Sequence, residues 1–180
     1  LEDEDFDILK RHGVTVACCP ASNLKLASGY ANVPKMLESG INVALGTDGA
    51  ASNNNLNIMQ DMYLFGVVYK GYFRDPTIIT PAEVLHAATR AGALSQGRDD
   101  SGLLAVGMRA DLCVLNTDTP QFTPMTSAAC NVVYAAQGAD VRMTMVDGEV
   151  LYRDGEFKTI DIEKVKAEVQ RRTDSILSRL

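Results

Sequence analysis

Residues 33–45 read VPKMLESGINVAL and place a short helical pattern directly before an apolar stretch. The segment 33–38 has a proline early in its first turn, and Gly40 is the residue type that commonly ends a helix. The segment 41–45 is then a short, nearly continuous apolar run, which is typical of a strand buried on both faces. This stretch therefore predicts a helix followed by a buried strand.

The same order of elements precedes this stretch. Residues 3–12 predict a helix that ends at Gly13, and residues 14–18 predict another strand. Two successive helix-to-strand steps favour a parallel sheet of the α/β class, in which the loops that leave the carboxyl ends of the strands carry the chemistry. The loops in that position are 19–29 and 46–55.

Downstream, the pattern changes twice. Residues 56–67 show apolar side chains at helical spacing, and residues 80–83 form a capping box that predicts a further helix, which would end at Gly97. From 102 to 157 the pattern is one of short strands between turns, with Asp147 and Gly148 as a two-residue turn, which predicts a small β module. An amphipathic helix closes the chain. The predicted domains are 1–101, 102–157 and 158–180.

The composition narrows the class of protein. With 180 residues, of which 46% are hydrophobic, the chain can bury a core but is shorter than a complete (α/β)8 barrel. Its formal net charge is −6 and lysine and arginine are not clustered, which argues against a nucleic-acid partner or an anionic membrane surface. No apolar run reaches the length of a membrane span. We therefore expect a small-molecule partner, with no nucleic acid and no membrane.

The cysteines give no sign of cross-linking. Cys18 and Cys19 are adjacent while Cys113 and Cys130 lie far away, which is neither a disulfide framework nor a Cys-x-x-Cys metal pattern. This use of cysteine fits a reducing compartment, and we predict a cytoplasmic protein. We interpret Cys18 and Cys19 as small buried hydrophobic side chains rather than as catalytic thiols.

The loop 46–55, GTDGAASNNN, places one carboxylate among small and polar residues. Asp48 follows the predicted buried strand and lies between Gly46 and Gly49. From the residues alone it could be a helix cap, a turn-forming side chain bonded to backbone N–H groups, a metal ligand or a general base. Turns of this kind are common in glycine-rich loops, so the position by itself leaves all four roles open.

Four segments of the chain form a recognisable set: PASNLKLASG at 20–29, GTDGAASNNN at 46–55, GLLAVGMRADL at 102–112 and MVDGEV at 145–150. Any one of these glycine-rich pieces would be weak evidence, whereas the four in this order are specific. Together they resemble the amidohydrolase superfamily, and within it the branch of cytosine/adenosine-type deaminases and chlorohydrolases, nearest to the 5-methylthioadenosine/S-adenosylhomocysteine deaminases.

The resemblance implies an architecture for each predicted domain. Residues 1–101 would form the C-terminal part of a metal-dependent hydrolase (α/β)8 barrel. The module at 102–157 would be part of a composite β-sandwich, and the helix at 158–180 would pack on the barrel. Because missing barrel strands leave open sheet edges, we expect association with the missing N-terminal part or with a second copy as a homo-oligomer.

The resemblance also implies a chemistry. It points to a mononuclear site for Zn²⁺, or another divalent metal such as Fe²⁺, with Asp48 as metal ligand and as the group that takes the proton of the attacking water. The implied activity of the intact protein is hydrolytic deamination of adenine-type nucleosides such as methylthioadenosine or S-adenosylhomocysteine, with a related chlorohydrolase or another aminohydrolase as the alternative. Asn23, Lys25 and Ser52 are candidate substrate-binding residues, with loop scaffolding and helix capping as their other roles.

The histidines limit what these residues can do alone. A catalytic zinc needs about three protein ligands, usually including histidines. The chain contains only His12 and His86, and neither matches a metal-binding motif of the family. We expect both in surface or packing positions, and we expect the chain to be a C-terminal portion that is inactive and binds metal poorly by itself.

Overall fold

The computed structural model describes residues 1–179 and divides into two compact units. The first unit contains residues 1–108 and 117–140, and the second contains residues 109–116 and the described chain from 141 onward. The span predicted as one β module thus includes a segment that belongs to the first unit. The domain boundaries at 101 and 157, which concern the family architecture, stay a prediction.

The first unit is mostly helical around a small parallel sheet. Short 3₁₀ turns at Pro120–Phe122 and Gly138–Asp140 flank its last helix. Its regular elements are α1 Asp3–Arg11, β1 Val16–Cys18, α2 Pro20–Lys25, α3 Val33–Glu38, β2 Val43–Leu45, α4 Ala50–Asn53, α5 Ile58–Phe73, α6 Pro81–Ala88, α7 Arg90–Ser95 and α8 Ala128–Tyr134.

The predicted parallel pairing is confirmed. Strand β1 pairs with β2 in parallel, with Cys18 opposite Leu45, and β2 is buried along its length. Each strand begins two residues later than predicted, because those residues complete the preceding helix. The Val14 amide donates to Leu9 O and the Ile41 amide donates to Met36 O, which are the closing bonds of a helix C-terminus.

The core of the first unit forms where helices α3, α5 and α6 pack on strand β2. Val33, Phe65 and Val84 are fully buried there. Gly66 on α5 permits close approach of α8, since a Cβ at this position would lie 3.1 Å from Tyr134 Cε1 and 3.3 Å from Val133 Cγ1. The helix α8 was not predicted from the sequence.

The capping box at Thr80 is confirmed, because the Thr80 hydroxyl accepts from the Glu83 amide and the Glu83 carboxylate accepts from the Thr80 amide. The helix that it begins ends at Ala88 rather than at Gly97. Thr89 leaves the helical conformation, with φ −125° and ψ −87°, and α7 starts after it. The apolar side chains keep their helical spacing on both sides of Thr89, so the sequence pattern gives no sign of this break.

The second unit is an antiparallel sheet followed by a helix. Asp147 and Gly148 both have positive φ, 52° and 80°, as a two-residue hairpin turn requires, and this predicted turn is confirmed. Val165, Val169 and Ile176 on the helix are exposed, and its packing on the barrel stays a prediction. The elements are β3 Leu112–Leu115, β4 Val141–Val146, β5 Glu149–Arg153, β6 Glu156–Phe157 and α9 Ile162–Leu177.

Within residues 1–179, none of the helices has both the length and the apolar character needed to cross a membrane.

Candidate active site around Asp48

Asp48 lies just beyond the carboxyl end of β2 with its side chain exposed to solvent. One carboxylate oxygen, Oδ2, accepts a 2.7 Å hydrogen bond from the Ser22 hydroxyl. The other, Oδ1, accepts a 2.7 Å hydrogen bond from the Gly49 amide. The backbone of Asp48 is left-handed, with φ 61°, a conformation that aspartate tolerates better than most residues but that still costs free energy. The carboxylate is therefore held in one orientation.

The parallel sheet explains why Ser22 reaches Asp48. Helix α2 begins at Pro20 directly after β1, and the Asp48 loop begins directly after β2. The Gly46 amide donates to Cys18 O at 2.9 Å, which continues the pairing past the end of the strands. Both loops therefore leave the same edge of the sheet side by side, as expected for parallel strands.

The hydrogen bonds to Asp48 favour its charged form. The Ser22 hydroxyl, then the Gly49 amide and the Ser52 hydroxyl, hold the pKa of Asp48 below its usual value. Asp48 is therefore an ionised carboxylate at neutral pH, and its exposed side can accept further hydrogen bonds or a cation.

Of the three residues predicted to contact substrate, only Ser52 bonds Asp48 directly within the residues that the structure describes. Its hydroxyl donates a hydrogen bond to the Asp48 carboxylate. Lys25 Nζ donates to Ser52 O at 2.7 Å and also to Asn54 Oδ1, so it ties α2 to α4. Asn23 is half-buried, and its backbone amide donates to Cys19 O at 2.9 Å. The substrate-binding roles of Asn23, Lys25 and Ser52 stay predictions.

A second carboxylate, Asp61, was missed by sequence reasoning. It lies on α5 with its side chain fully buried. Its Oδ1 accepts from the Ala21 amide at 3.0 Å and its Oδ2 accepts from Asn53 Nδ2 at 3.1 Å. Asn53 Nδ2 also donates to Thr47 O at 2.7 Å. Burial raises the pKa of Asp61, against the hydrogen bonds from Ala21 and Asn53 that lower it. An acid on the otherwise buried face of a helix is the signal that could have found it.

The two adjacent cysteines occupy different environments. Cys18 is buried with Sγ 3.5 Å from the Tyr69 hydroxyl, and Cys19 is half-buried. Burial raises the pKa of both thiols, and the negative charge of Asp48 adds to the effect at Cys19. Both side chains are therefore neutral thiols at pH 7, which agrees with their interpretation as small packing residues.

The histidines lie on the surface. His12 is at the carboxyl end of α1 and His86 is in the last turn of α6, and both side chains are exposed.

Comparison with known proteins decides the family. A model of the amidohydrolase family matches residues 1–151. The chain belongs to the amidohydrolase family. The resemblance seen in the sequence segments is thereby confirmed, and so is the α/β class.

Three similar proteins illustrate the range within this family. The chain is 44% identical to a 5-methylthioadenosine/S-adenosylhomocysteine deaminase from Acetivibrio thermocellus, over 98% of this chain and 41% of that protein. It is similar to the structure of an adenosine deaminase from Xanthomonas campestris with bound Zn, with a TM-score of 0.95 and 30% identity over 99% of this chain and 41% of that one. It is also similar to atrazine chlorohydrolase from Arthrobacter aurescens TC1 complexed with zinc, with a TM-score of 0.87 and 26% identity over 95% of this chain and 38% of that one. The chain thus spans about two fifths of the length of these relatives.

Residues 1–179 do not contain a complete metal site. Among residues 1–179, no group of three or more histidine, cysteine, aspartate or glutamate side chains could hold a metal ion. Asp48 can offer one carboxylate ligand. Asp61 cannot offer a second, because its two oxygens are buried and already accept hydrogen bonds.

Proposed function

We propose that these residues form the Asp48 side of the active site of a metal-dependent hydrolytic deaminase that acts on adenine-type nucleosides. The observation that carries the proposal is the exposed, ionised carboxylate of Asp48, oriented by Ser22 and Gly49 at the carboxyl end of β2 in an amidohydrolase chain. The similarity to a deaminase of methylthioadenosine and S-adenosylhomocysteine supports the substrate class. The same likeness supports placing β1 and β2 in an (α/β)8 barrel and β3 to β6 in a composite β-sandwich.

Asp48 supplies one ligand in this proposal, and the other ligands would come from the part of such a protein that these residues do not match. Zinc or another divalent ion would supply a bound water whose pKa is lowered toward 7. The hydrogen bond from Ser22 keeps Asp48 charged and directs the rest of its carboxylate outward. Its lowered pKa makes Asp48 a weak base on its own, so it can accept a proton only from a water that is already acidified.

The overall reaction adds water to the amino-bearing ring carbon of the adenine and releases ammonia. The water gives its oxygen to the ring carbon. One of its protons passes by way of the Asp48 carboxylate to the amino group, which leaves as ammonia when its bond to the ring carbon breaks. The other proton ends on the adjacent ring nitrogen of the product. Ser22 holds the same carboxylate oxygen, Oδ2, throughout, so that Asp48 does not have to reorient between the two proton transfers.

The experiment uses a protein of the relatives' full length that contains this chain. Asp48→Asn keeps the size of the side chain but removes the anionic oxygen, and we expect kcat to fall by about 10²- to 10⁴-fold, with a smaller change in KM. Turnover is measured with methylthioadenosine, S-adenosylhomocysteine and adenosine. Near-normal turnover by Asp48→Asn would contradict the role of Asp48.

Asp75 offers a matched control. Its pKa is also lowered by a hydroxyl and a backbone amide, both from Thr77, but it lies in the turn after α5 and not at the end of a strand. Asp75→Asn should leave kcat unchanged. If the full-length protein releases chloride from a chlorotriazine and ammonia from none of the nucleosides, the chlorohydrolase alternative replaces the deaminase.

We also propose that this chain associates with the remaining part of such a protein or with a second copy of itself. The sheet formed by β1 and β2 has only these strands within residues 1–179, so both of its edges are unpaired there. Leu26, Tyr72 and Phe73 are exposed apolar side chains on the same unit. Sedimentation of the 180-residue chain should show a dimer or larger species, and a clean monomer at micromolar concentration would count against association. A cytoplasmic location stays a prediction.

A further inference from the structure

The buried carboxylate of Asp61 has no role in the proposed chemistry, since it is closed off from solvent and its oxygens bond Ala21 and Asn53. It is nevertheless placed in the interior, where an ionised carboxylate is costly unless its oxygens accept hydrogen bonds. Each of its oxygens accepts one, and the two donors come from different loops. The Ala21 amide belongs to helix α2 in the segment 19–29 that follows β1, and the Asn53 side chain belongs to helix α4 in the segment 46–55 that follows β2. These two segments are the active-site loops.

Both contacts lead to the pair formed by Ser22 and Asp48. Ala21, whose amide Asp61 holds, is the residue directly before Ser22. Asn53 uses the same amide nitrogen to hold Thr47 O, and Thr47 is the residue directly before Asp48. The Ser22 hydroxyl and Asp48 Oδ2 are in turn 2.7 Å apart. Asp61 on α5 thus holds the backbone next to Ser22 directly, and it holds the backbone next to Asp48 through the side chain of Asn53.

We propose that Asp61 is a positioning residue, which fixes the two active-site loops relative to each other so that Ser22 stays bonded to Asp48. This inference rests on the proposed function for its catalytic consequence, but its structural part holds for the chain alone. Asp48 needs such support because its backbone is in the left-handed region, which persists only where the surroundings over-determine it. Lys25 braces the same loops from the solvent side through Ser52 O.

The chemistry requires a carboxylate at position 61. Both donors point N–H groups at it, so two acceptors are needed. Asp61→Asn offers one acceptor and one donor, which leaves an N–H facing an N–H at either Ala21 or Asn53. If Asn53 turned its amide over to accept from the new side chain, its oxygen would face Thr47 O and the contact beside Asp48 would be lost.

The first test uses the 180-residue chain and needs no activity. NMR measures the NOE between the Cβ protons of Ser22 and Asp48, which are close while the two side chains are hydrogen bonded. We expect Asp61→Asn to remove or strongly weaken this NOE. Val84→Ala is the matched control, because it opens a cavity at a fully buried apolar residue and removes none of the hydrogen bonds that join Asp61, Asn53, Ser22 and Asp48. It should lower the melting temperature and keep the NOE.

A second variant covers the case in which Asp61→Asn does not fold. Asn53→Ala removes the contact with Thr47 O but leaves the bond between Asp61 and the Ala21 amide in place. We expect slow amide exchange to persist at Ala21 while the NOE between Ser22 and Asp48 is lost. An unchanged NOE in every folded variant would overturn the proposal.

The second test uses the full-length protein. We expect Asp61→Asn to lower kcat by roughly 10- to 100-fold, the usual range for a residue that orients an active-site ligand, with KM changed less. Ser22→Ala should lower kcat in the wild-type background and have little further effect in Asp61→Asn, because both act through the same hydrogen bond. Equal kcat losses in Asp61→Asn and Val84→Ala would overturn the positioning role. If the wild-type protein shows no deaminase activity, the proposed function fails, and the NMR result still decides on Asp61.

Discussion

Replacing Gly66 by alanine tests the packing of α5, the helix that carries Asp61. The added Cβ would lie 3.1 Å from Tyr134 Cε1 and 3.3 Å from Val133 Cγ1, whereas carbon atoms pack at about 3.5–4.0 Å. Neither neighbour can move freely, since Val133 is buried and the Tyr134 hydroxyl accepts a 2.8 Å hydrogen bond from Lys70 Nζ. The variant must therefore shift α5, α8 or both.

Two effects of opposite sign set the magnitude. Overpacking of a tight core typically costs about 1–3 kcal/mol. Alanine in place of glycine in a helix gains about 0.5–1 kcal/mol. The expected net change is a loss of stability of roughly 0–2.5 kcal/mol. In a chain of this size each kcal/mol lowers the melting temperature by about 2–4 °C.

Gly71 on the same helix separates these effects. Apart from its chain neighbours and the backbone of its own helix, no atom of residues 1–179 lies within 4 Å of a Cβ built at Gly71. Gly71→Ala should therefore gain only the helix propensity of alanine and raise stability by about 0.5–1 kcal/mol. Urea unfolding followed by circular dichroism gives both values. The difference between the two variants should be about 1–3 kcal/mol. Equal stabilisation by Gly66→Ala and Gly71→Ala would refute the close packing of α5 on α8.

Other predictions concern single residues. Ser22→Ala should raise the pKa of Asp48 toward its ordinary value, because the hydroxyl is the largest cause of the lowered value; carboxyl ¹³C NMR titration measures this. The stability that comes from this lowered pKa is present above the unfolded-state pKa and is lost as the pH falls through the folded-state pKa, so the variant should lose less stability in acid than the wild type does. Arg74 ends α5 with φ 54°, so Arg74→Gly should raise stability by about 0.5–1 kcal/mol in thermal melts, and destabilisation would contradict the left-handed cap. The 180-residue chain should bind zinc no better than its Asp48→Ala variant by calorimetry, and stoichiometric binding that depends on Asp48 would contradict the incomplete metal site.

The sequence supports the order of elements better than their ends. Val14 and Ile41 have strand-like side chains, but their amides close the preceding helices, and a side-chain pattern does not report where a backbone amide is bonded. The break at Thr89 is hidden for a similar reason, since it is a backbone change within continuous helical spacing. The short helices α2 and α4 lie in the segments after β1 and β2, which the sequence predicts as loops, because four to six residues show little periodicity.

The candidate site shows the same limit. Asp48 could be selected from the sequence, because an acid between glycines after an apolar strand is conspicuous. Asp61 could not be assigned a role, because its donors are 40 residues upstream and 8 residues upstream, and only the fold brings them together. Asp48 and Asp61, 13 positions apart, therefore differ in both exposure and pKa. Asp48 is exposed and its pKa is lowered, whereas Asp61 is buried and its pKa is raised.

Helix α5 connects the packing at Gly66 with the site at Asp48. Asp61 and Gly66 are five residues apart, so they point about 140° away from each other around the helix: Asp61 meets the active-site loops and Gly66 meets α8. Because protein interiors are close-packed, a helix pushed on one face displaces what it holds on the other. Gly66→Ala should therefore perturb the amide resonances of Ala21 and Asn53 more than Gly71→Ala does, although position 66 lies in neither loop. ¹H–¹⁵N spectra of both variants measure the effect. Shifts confined to α5 and α8 would show that Asp61 absorbs the displacement and that the site loops are held by their own contacts.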